Sequence, residues 1–301
     1  MLLPPPWLDR TAWPFAPQVH PHPDGDLHYV DEGRGPIVVL VHGTPTWSFE
    51  WRHVIRRLAS RYRVLAPDHL GFGCSDRPAG ARYRPEDHAE RFRHWFDAVV
   101  GREACAFVVH DFGGPIAWPT ILDNRNAVKS LVVLNSWCWD MMEQPALRRQ
   151  ARLLQGAFGR WMYRRLNVSQ RILMPSGYGD RRHLTPEVHR QYLAVFPDAE
   201  GREQVLYALA QSLVQSTAFF SGLWHRRDEL RDVPLHLIWG LKDGILPASL
   251  LARWRGGFPH AVVHELPAAG HWPHEEAPDD VSRTLLDVLA RSHPASAASV
   301  P

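Results

Sequence analysis

The chain has 301 residues, 45% apolar and 22% charged, with 13 Trp and 12 Phe. It is long enough to bury a sizeable core, and its composition excludes disordered, collagen-like and coiled-coil classes. Lys+Arg (34) and Asp+Glu (32) cancel to a formal +2, so there is no net field to hold nucleic acid or an anionic membrane, and a small molecule becomes the default partner.

Residues 1–7 lack a basic segment and break their apolar run with prolines, unlike a signal peptide. Two short strands are expected at 27–32 and 37–41, joined as a hairpin by Gly33-Arg34-Gly35-Pro36. Short Val/Leu/Ile-rich runs follow at 63–67, 107–110, 130–135, 236–239 and 262–266, of the kind that suits strands buried on both faces. Between them Trp51/Val54/Ile55/Leu58, Phe92/Trp95/Phe96/Val99 and Val281/Leu285/Val288/Leu289 recur at helical spacing. Alternation of strand and helix specifies an α/β fold, a mostly parallel sheet flanked by helices.

The alternation breaks over 136–228, where Val205/Leu206/Leu209/Leu213 form a helical face and Pro145, Pro175, Pro186 and Pro197 punctuate. This segment is expected as an inserted helical cap, with 1–135 and 229–301 forming the core, and it should lie over the carboxyl ends of the strands, where open α/β sheets bind ligands. The Ala/Ser/Pro-rich end, 292–301, is expected to fray. No run of about 18 apolar residues occurs, so no spanning helix is expected. Cys74, Cys105 and Cys138, spaced by about thirty residues, fit neither a disulfide framework nor a CxxC zinc site, which points to a reducing, cytoplasmic setting.

The chemistry begins at Val108-Val109-His110-Asp111-Phe112-Gly113-Gly114-Pro115, an apolar strand running into a tight turn and a helix start. This is the shape of a nucleophile elbow, with Asp in the exposed position. A carboxylate can attack an sp³ carbon and leave an alkyl ester for water to hydrolyse; the alternative is an Asp that merely caps the next helix. Asp243 follows a later strand in Trp239-Gly-Leu-Lys-Asp243, and His271 follows the last one after Gly270. The chain order nucleophile, acid, base suits a triad in which His271 activates water and Asp243 orients it. His274 is a rival base. The loop His42-Gly-Thr-Pro-Thr-Trp47 could aim the Thr44 N–H at the centre, to act with the Phe112 N–H as an anion-stabilising pair.

With Ala66-Pro-Asp-His-Leu-Gly-Phe-Gly-Cys-Ser-Asp76 added to these segments, the sequence resembles the α/β-hydrolase superfamily, and within it the haloalkane dehalogenases and their epoxide hydrolase relatives, over nearly its whole length. The resemblance implies an α/β-hydrolase fold, Asp111 as nucleophile, His271 as base, Asp243 as acid, no metal or organic cofactor, two halide-gripping side chains, and a small apolar organic substrate and water as partners. At those two positions the sequence departs from the family: Phe112 stands where Trp is usual, and Thr44 where Asn or Glu is usual. An indole of Trp137 or Trp139 could supply the missing donor. Epoxide opening would instead need lid phenols, for which Tyr163, Tyr178, Tyr192 and Tyr207 are available. Cleavage of a β-lactone or ester on the same triad, and a receptor that only binds, are further alternatives. No metal is expected, because His20-Pro-His22 and His271-Trp-Pro-His274 lack helical i, i+4 spacing.

Overall fold

The computed structural model describes residues 5–292; the end expected to fray lies, beyond Ser292, outside them. Eight strands form one sheet in the order β1-β2-β4-β3-β5-β6-β7-β8. They are β1 (Gln18–His20), β2 (Leu27–Glu32), β3 (Ile37–Val41), β4 (Arg63–Pro67), β5 (Cys105–Asp111), β6 (Val128–Ser136), β7 (Leu235–Gly240) and β8 (Val262–Leu266). From β4 to β8 every pairing is parallel, and only β1/β2 and β2/β4 are antiparallel.

The expected hairpin does not form. β2 pairs with β4, and β3 lies between β4 and β5. The connection passes over the start of β4: a Cβ on Gly33 (φ +79°) would lie 2.3 Å from the carbonyl oxygens of Ala59 and Tyr62, so glycine permits a crossover where a tight turn was expected. The separation follows burial. All of β3 is buried and takes a neighbour on each side, whereas β2 is only partly buried and belongs near the edge. β8 is a second correction, because it pairs only with β7 and stays largely solvent-accessible, with Val262 47% exposed. β1, a three-residue strand beside Pro17 and Pro21, carries too little pattern to be expected from sequence.

The helices α1 (Arg52–Leu58), α2 (Pro85–Val99) and α3 (Gly113–Asp123) cover the sheet with Pro278–Ser292. In α2 the residues His88, Phe92, Trp95 and Phe96 are buried at helical spacing, and Pro85 opens the first turn. Between Ser136 and Leu235 the described chain is helical, including Pro145–Leu153, Gly156–Trp161, Pro186–Val195, Ala208–Gln215 and Thr217–His225. Thr185 starts one of these, its hydroxyl accepting the Val188 N–H ahead of Pro186. The insertion rests on the core at one informative point, where the Gly177 carbonyl accepts the His271 N–H at 2.7 Å. No described helix is long and apolar enough to cross a membrane.

Candidate active site

Asp111 ends β5 with φ +48°, a conformation that costs a non-glycine residue about 1–2 kcal/mol. The strain turns its side chain off the sheet just before α3. The elbow is tight on both sides. A Cβ on Gly43 would lie 2.4 Å from the Asp111 Cβ and Oδ1, so only glycine lets the loop after β3 reach the carboxylate. There the Thr44 N–H donates to Asp111 Oδ1 at 2.8 Å, and the Ser136 hydroxyl donates to the Asp111 carbonyl at 2.5 Å.

His271 faces the other carboxylate oxygen, its Nε2 lying 3.3 Å from Asp111 Oδ2. Its Nδ1 lies 2.7 Å from Asp243 Oδ2. Asp243 is itself fixed: Oδ1 accepts from the N–H groups of Ile245 and Leu246, and Oδ2 also accepts from Asn135 Nδ2 at 2.7 Å. Asn135, near the end of β6 with φ +31°, accepts the Gly240 N–H as well. Asn135 was not singled out from the sequence; its position at a strand end beside the elbow was the only signal.

The side chains of Asp111, Asp243 and His271 are all buried. Burial alone would push the His271 imidazole down, but Asp243 and Asp111 outweigh it and raise its pKa to about 10. Between two carboxylates the protonated form of the His271 imidazole is thus favoured. His274 is placed elsewhere, stacked on Trp51 and facing Glu50.

Phe112 packs edge-on against Trp137, ring centroids 4.9 Å apart. The Trp137 indole N–H is buried without a partner, as is the Thr44 hydroxyl. Trp139 also has an unpartnered N–H but packs against Trp224 and Trp254. Tyr163 pairs with Tyr207, and Tyr178 stacks on Trp272, next to His271. Tyr192 donates to Glu275, and Tyr207 to the Gly156 carbonyl. Thus the structure gathers Asp111, His271, Asp243 and Thr44 directly and Phe112 with Trp137. Among the described residues, Trp139 and Tyr163 make no hydrogen bond or ring contact with the triad.

The sequence matches the α/β hydrolase fold family over residues 36–278. It is 32% identical over 280 residues to haloalkane dehalogenase 2 of Mycobacterium tuberculosis (strain H37Rv), covering 93% of this chain and 96% of that one. It is 28% identical to the cis-3-alkyl-4-alkyloxetan-2-one decarboxylase of Shewanella oneidensis, covering 90% and 87%. Among solved structures it resembles the haloalkane dehalogenase DatA of Agrobacterium tumefaciens C58, with a TM-score of 0.80, 26% identity and coverage of 92% and 97%.

Proposed function

This chain belongs to the α/β-hydrolase family as a haloalkane dehalogenase-like hydrolase, and we propose that it cleaves small carbon–halogen substrates through a covalent ester on Asp111. Asp111 attacks the halogen-bearing carbon as the C–X bond breaks and halide leaves. Water then attacks the Asp111 Cγ, His271 takes its proton, and the tetrahedral intermediate collapses to release the alcohol. The sum is RX + H₂O → ROH + H⁺ + X⁻.

The observation that carries this reading is the placement of Asp111 between two different partners. Thr44 N–H holds the oxygen on which negative charge develops during ester hydrolysis, at 2.8 Å, as a preorganised oxyanion donor must; the Phe112 N–H is proposed to act with it. His271 stands on the other oxygen. Forming the ester removes the Asp111 charge, so the imidazolium loses one of the two carboxylates that hold its proton. Its pKa falls, and Nε2 becomes a base at the step that needs one. Asp243 remains to orient the ring.

Trp137 is the proposed donor to the departing halide in place of the residue usual after the nucleophile, since its N–H is buried and unpartnered beside Phe112. The helical insertion acts as the cap of the site. A second reading, opening of a β-lactone, draws on the similarity to the oxetan-2-one decarboxylase and uses the same carboxylate. The epoxide reading needs free phenols, and two of the four in the insertion, Tyr192 and Tyr207, are committed to Glu275 and Gly156.

A single turnover in ¹⁸O-water, with enzyme in excess over 1-bromobutane, tests the mechanism. Heavy oxygen should enter the Asp111 side chain while the first butanol keeps none of it. Label in the alcohol, and none in the Asp111 peptide, would mean direct attack by water and defeat the nucleophile assignment.

A further inference from the structure

A second set of buried titratable groups lies behind the catalytic base. Glu50, His110 and His274 are each 0% exposed. Glu50 sits in the turn Ser48–Trp51, where the Thr46 hydroxyl donates to its Oε2. Its Oε1 lies 3.2 Å from His110 Nδ1 and 3.7 Å from His274 Nε2. Burial would push the Glu50 carboxyl up, but His110 and His274 together hold it well below the usual carboxylate range.

His110 directly precedes the nucleophile, and its Nε2 lies 2.8 Å from the carbonyl oxygen of His271. A carbonyl can only accept, so Nε2 carries a hydrogen; Nδ1 is the atom turned to Glu50, and since an ionised carboxylate also only accepts, Nδ1 bonds it as a donor. The peptide of the base is then held from two sides: its N–H by the Gly177 carbonyl of the insertion at 2.7 Å, and its carbonyl by His110 from the core.

We propose that His110, anchored by Glu50, is a positioning residue for His271, clamping the backbone of the base so that its ring stays aligned on the Asp111 ester during hydrolysis. The proposal rests on the nucleophile and base assignments above. Alkylation of Asp111 requires no proton transfer from His271, whereas hydrolysis requires Nε2 within reach of a water on the ester carbon, so a loosened clamp slows the second step selectively. A polar cluster that merely satisfies itself would slow neither step, or both through loss of folded protein.

The test compares wild type with the double variant Glu50→Gln/His110→Phe, which removes the clamp without leaving a buried unpaired charge, and with Glu50→Gln, whose amide oxygen can accept from His110 Nδ1 where the carboxylate did, or whose nitrogen can donate to it. With 1-bromobutane, and styrene oxide as a second probe, mass spectrometry follows the ester on Asp111. In the double variant, alkylation should stay within about threefold of wild type while hydrolysis slows roughly 30–100-fold and ester accumulates, the size expected for misplacing a catalytic group by about 1 Å. Glu50→Gln should lose less than about fivefold, because its amide preserves the anchor. If the double variant does not fold, Glu50→Ala, which leaves His110 unanchored, should show the same pattern at smaller amplitude. Equal slowing of both steps, no slowing of either, or one equivalent of zinc retained on these donors would overturn the proposal.

A substrate-free measurement separates this proposal from the nucleophile reading. The proton on His271 Nδ1, bonded to Asp243, should resonate far downfield in NMR and broaden by exchange in the double variant or in Glu50→Ala. A resonance as sharp as in wild type overturns the clamp, even where wild type turns over neither probe and the ester mechanism has itself failed.

Discussion

His271 Nε2 stands 3.3 Å from Asp111 Oδ2 while its Nδ1 stands 2.7 Å from Asp243 Oδ2, so one imidazole is shared between two carboxylates, of which only Asp111 reacts in the proposed mechanism. In that mechanism the first contact ends when Asp111 becomes an ester, and the second persists. The two chemical steps should therefore separate. In His271→Ala a reactive bromoalkane should leave the protein heavier by its alkyl group, on Asp111, with turnover lowered about 10²–10⁴-fold for loss of the base. Asp111→Ala should gain no mass. A folded His271→Ala protein that stays unmodified, on substrates that wild type consumes, would show that the histidine acts before the ester forms.

The same geometry makes stability depend on pH. The His271 pKa is raised from 6.5 to about 10, so its stabilising contribution is complete below the unfolded value and is lost as pH rises through about 10. Denaturant titrations of wild type and His271→Ala should therefore converge between pH 6.5 and 10, with wild type losing its advantage. Asp111→Asn, which removes one of the two charges, should lower the His271 pKa in an NMR titration. A gap between the proteins that widens with pH contradicts this assignment.

Asn135 offers a test of how the acid is held. It bonds both Asp243 Oδ2 and the Gly240 N–H, so Asn135→Ala should strand two buried partners and cost about 1–3 kcal/mol. Turnover should fall by more than that loss of folded protein explains. The pH profile of ester hydrolysis should shift as well, because Asp243 would then be less constrained beside the imidazole. A variant that loses stability alone would make Asn135 purely structural.

In the proposed mechanism halide release draws on donors near Phe112. Trp137→Phe keeps the ring contact with Phe112 and removes the unpartnered N–H; it should lower bromide release by about 10²-fold, the usual cost of one preorganised donor. Phe112→Trp should raise bromide release, within a steric limit of about 1–3 kcal/mol for overpacking a buried ring. Steady-state bromide assays on both variants decide it, and a Trp137→Phe protein as fast as wild type removes the indole from the mechanism.

What the sequence determined by itself was local or was carried by chain order. Apolar runs placed seven of the eight strands, helical spacing placed α1, α2 and Pro278–Ser292, and the elbow around Asp111, the Gly270-His271 turn and Asp243 after β7 named a candidate triad, because each lies within a few residues of a strand end. The pairing of strands was not local. β4 separates β2 from β3 since a fully buried strand needs two neighbours, and a Gly-Pro turn reads alike in a hairpin and a crossover. Three-dimensional closure alone put His271 on Asp243 and turned His274 to Glu50, put the Asn135 amide on Asp243, brought the Trp137 ring to Phe112, and set Glu50 and His110 behind His271. Those contacts span from 25 to more than 200 positions in other parts of the molecule at no characteristic spacing, and a buried polar group finds its partner through packing of the whole core, which no window of sequence contains.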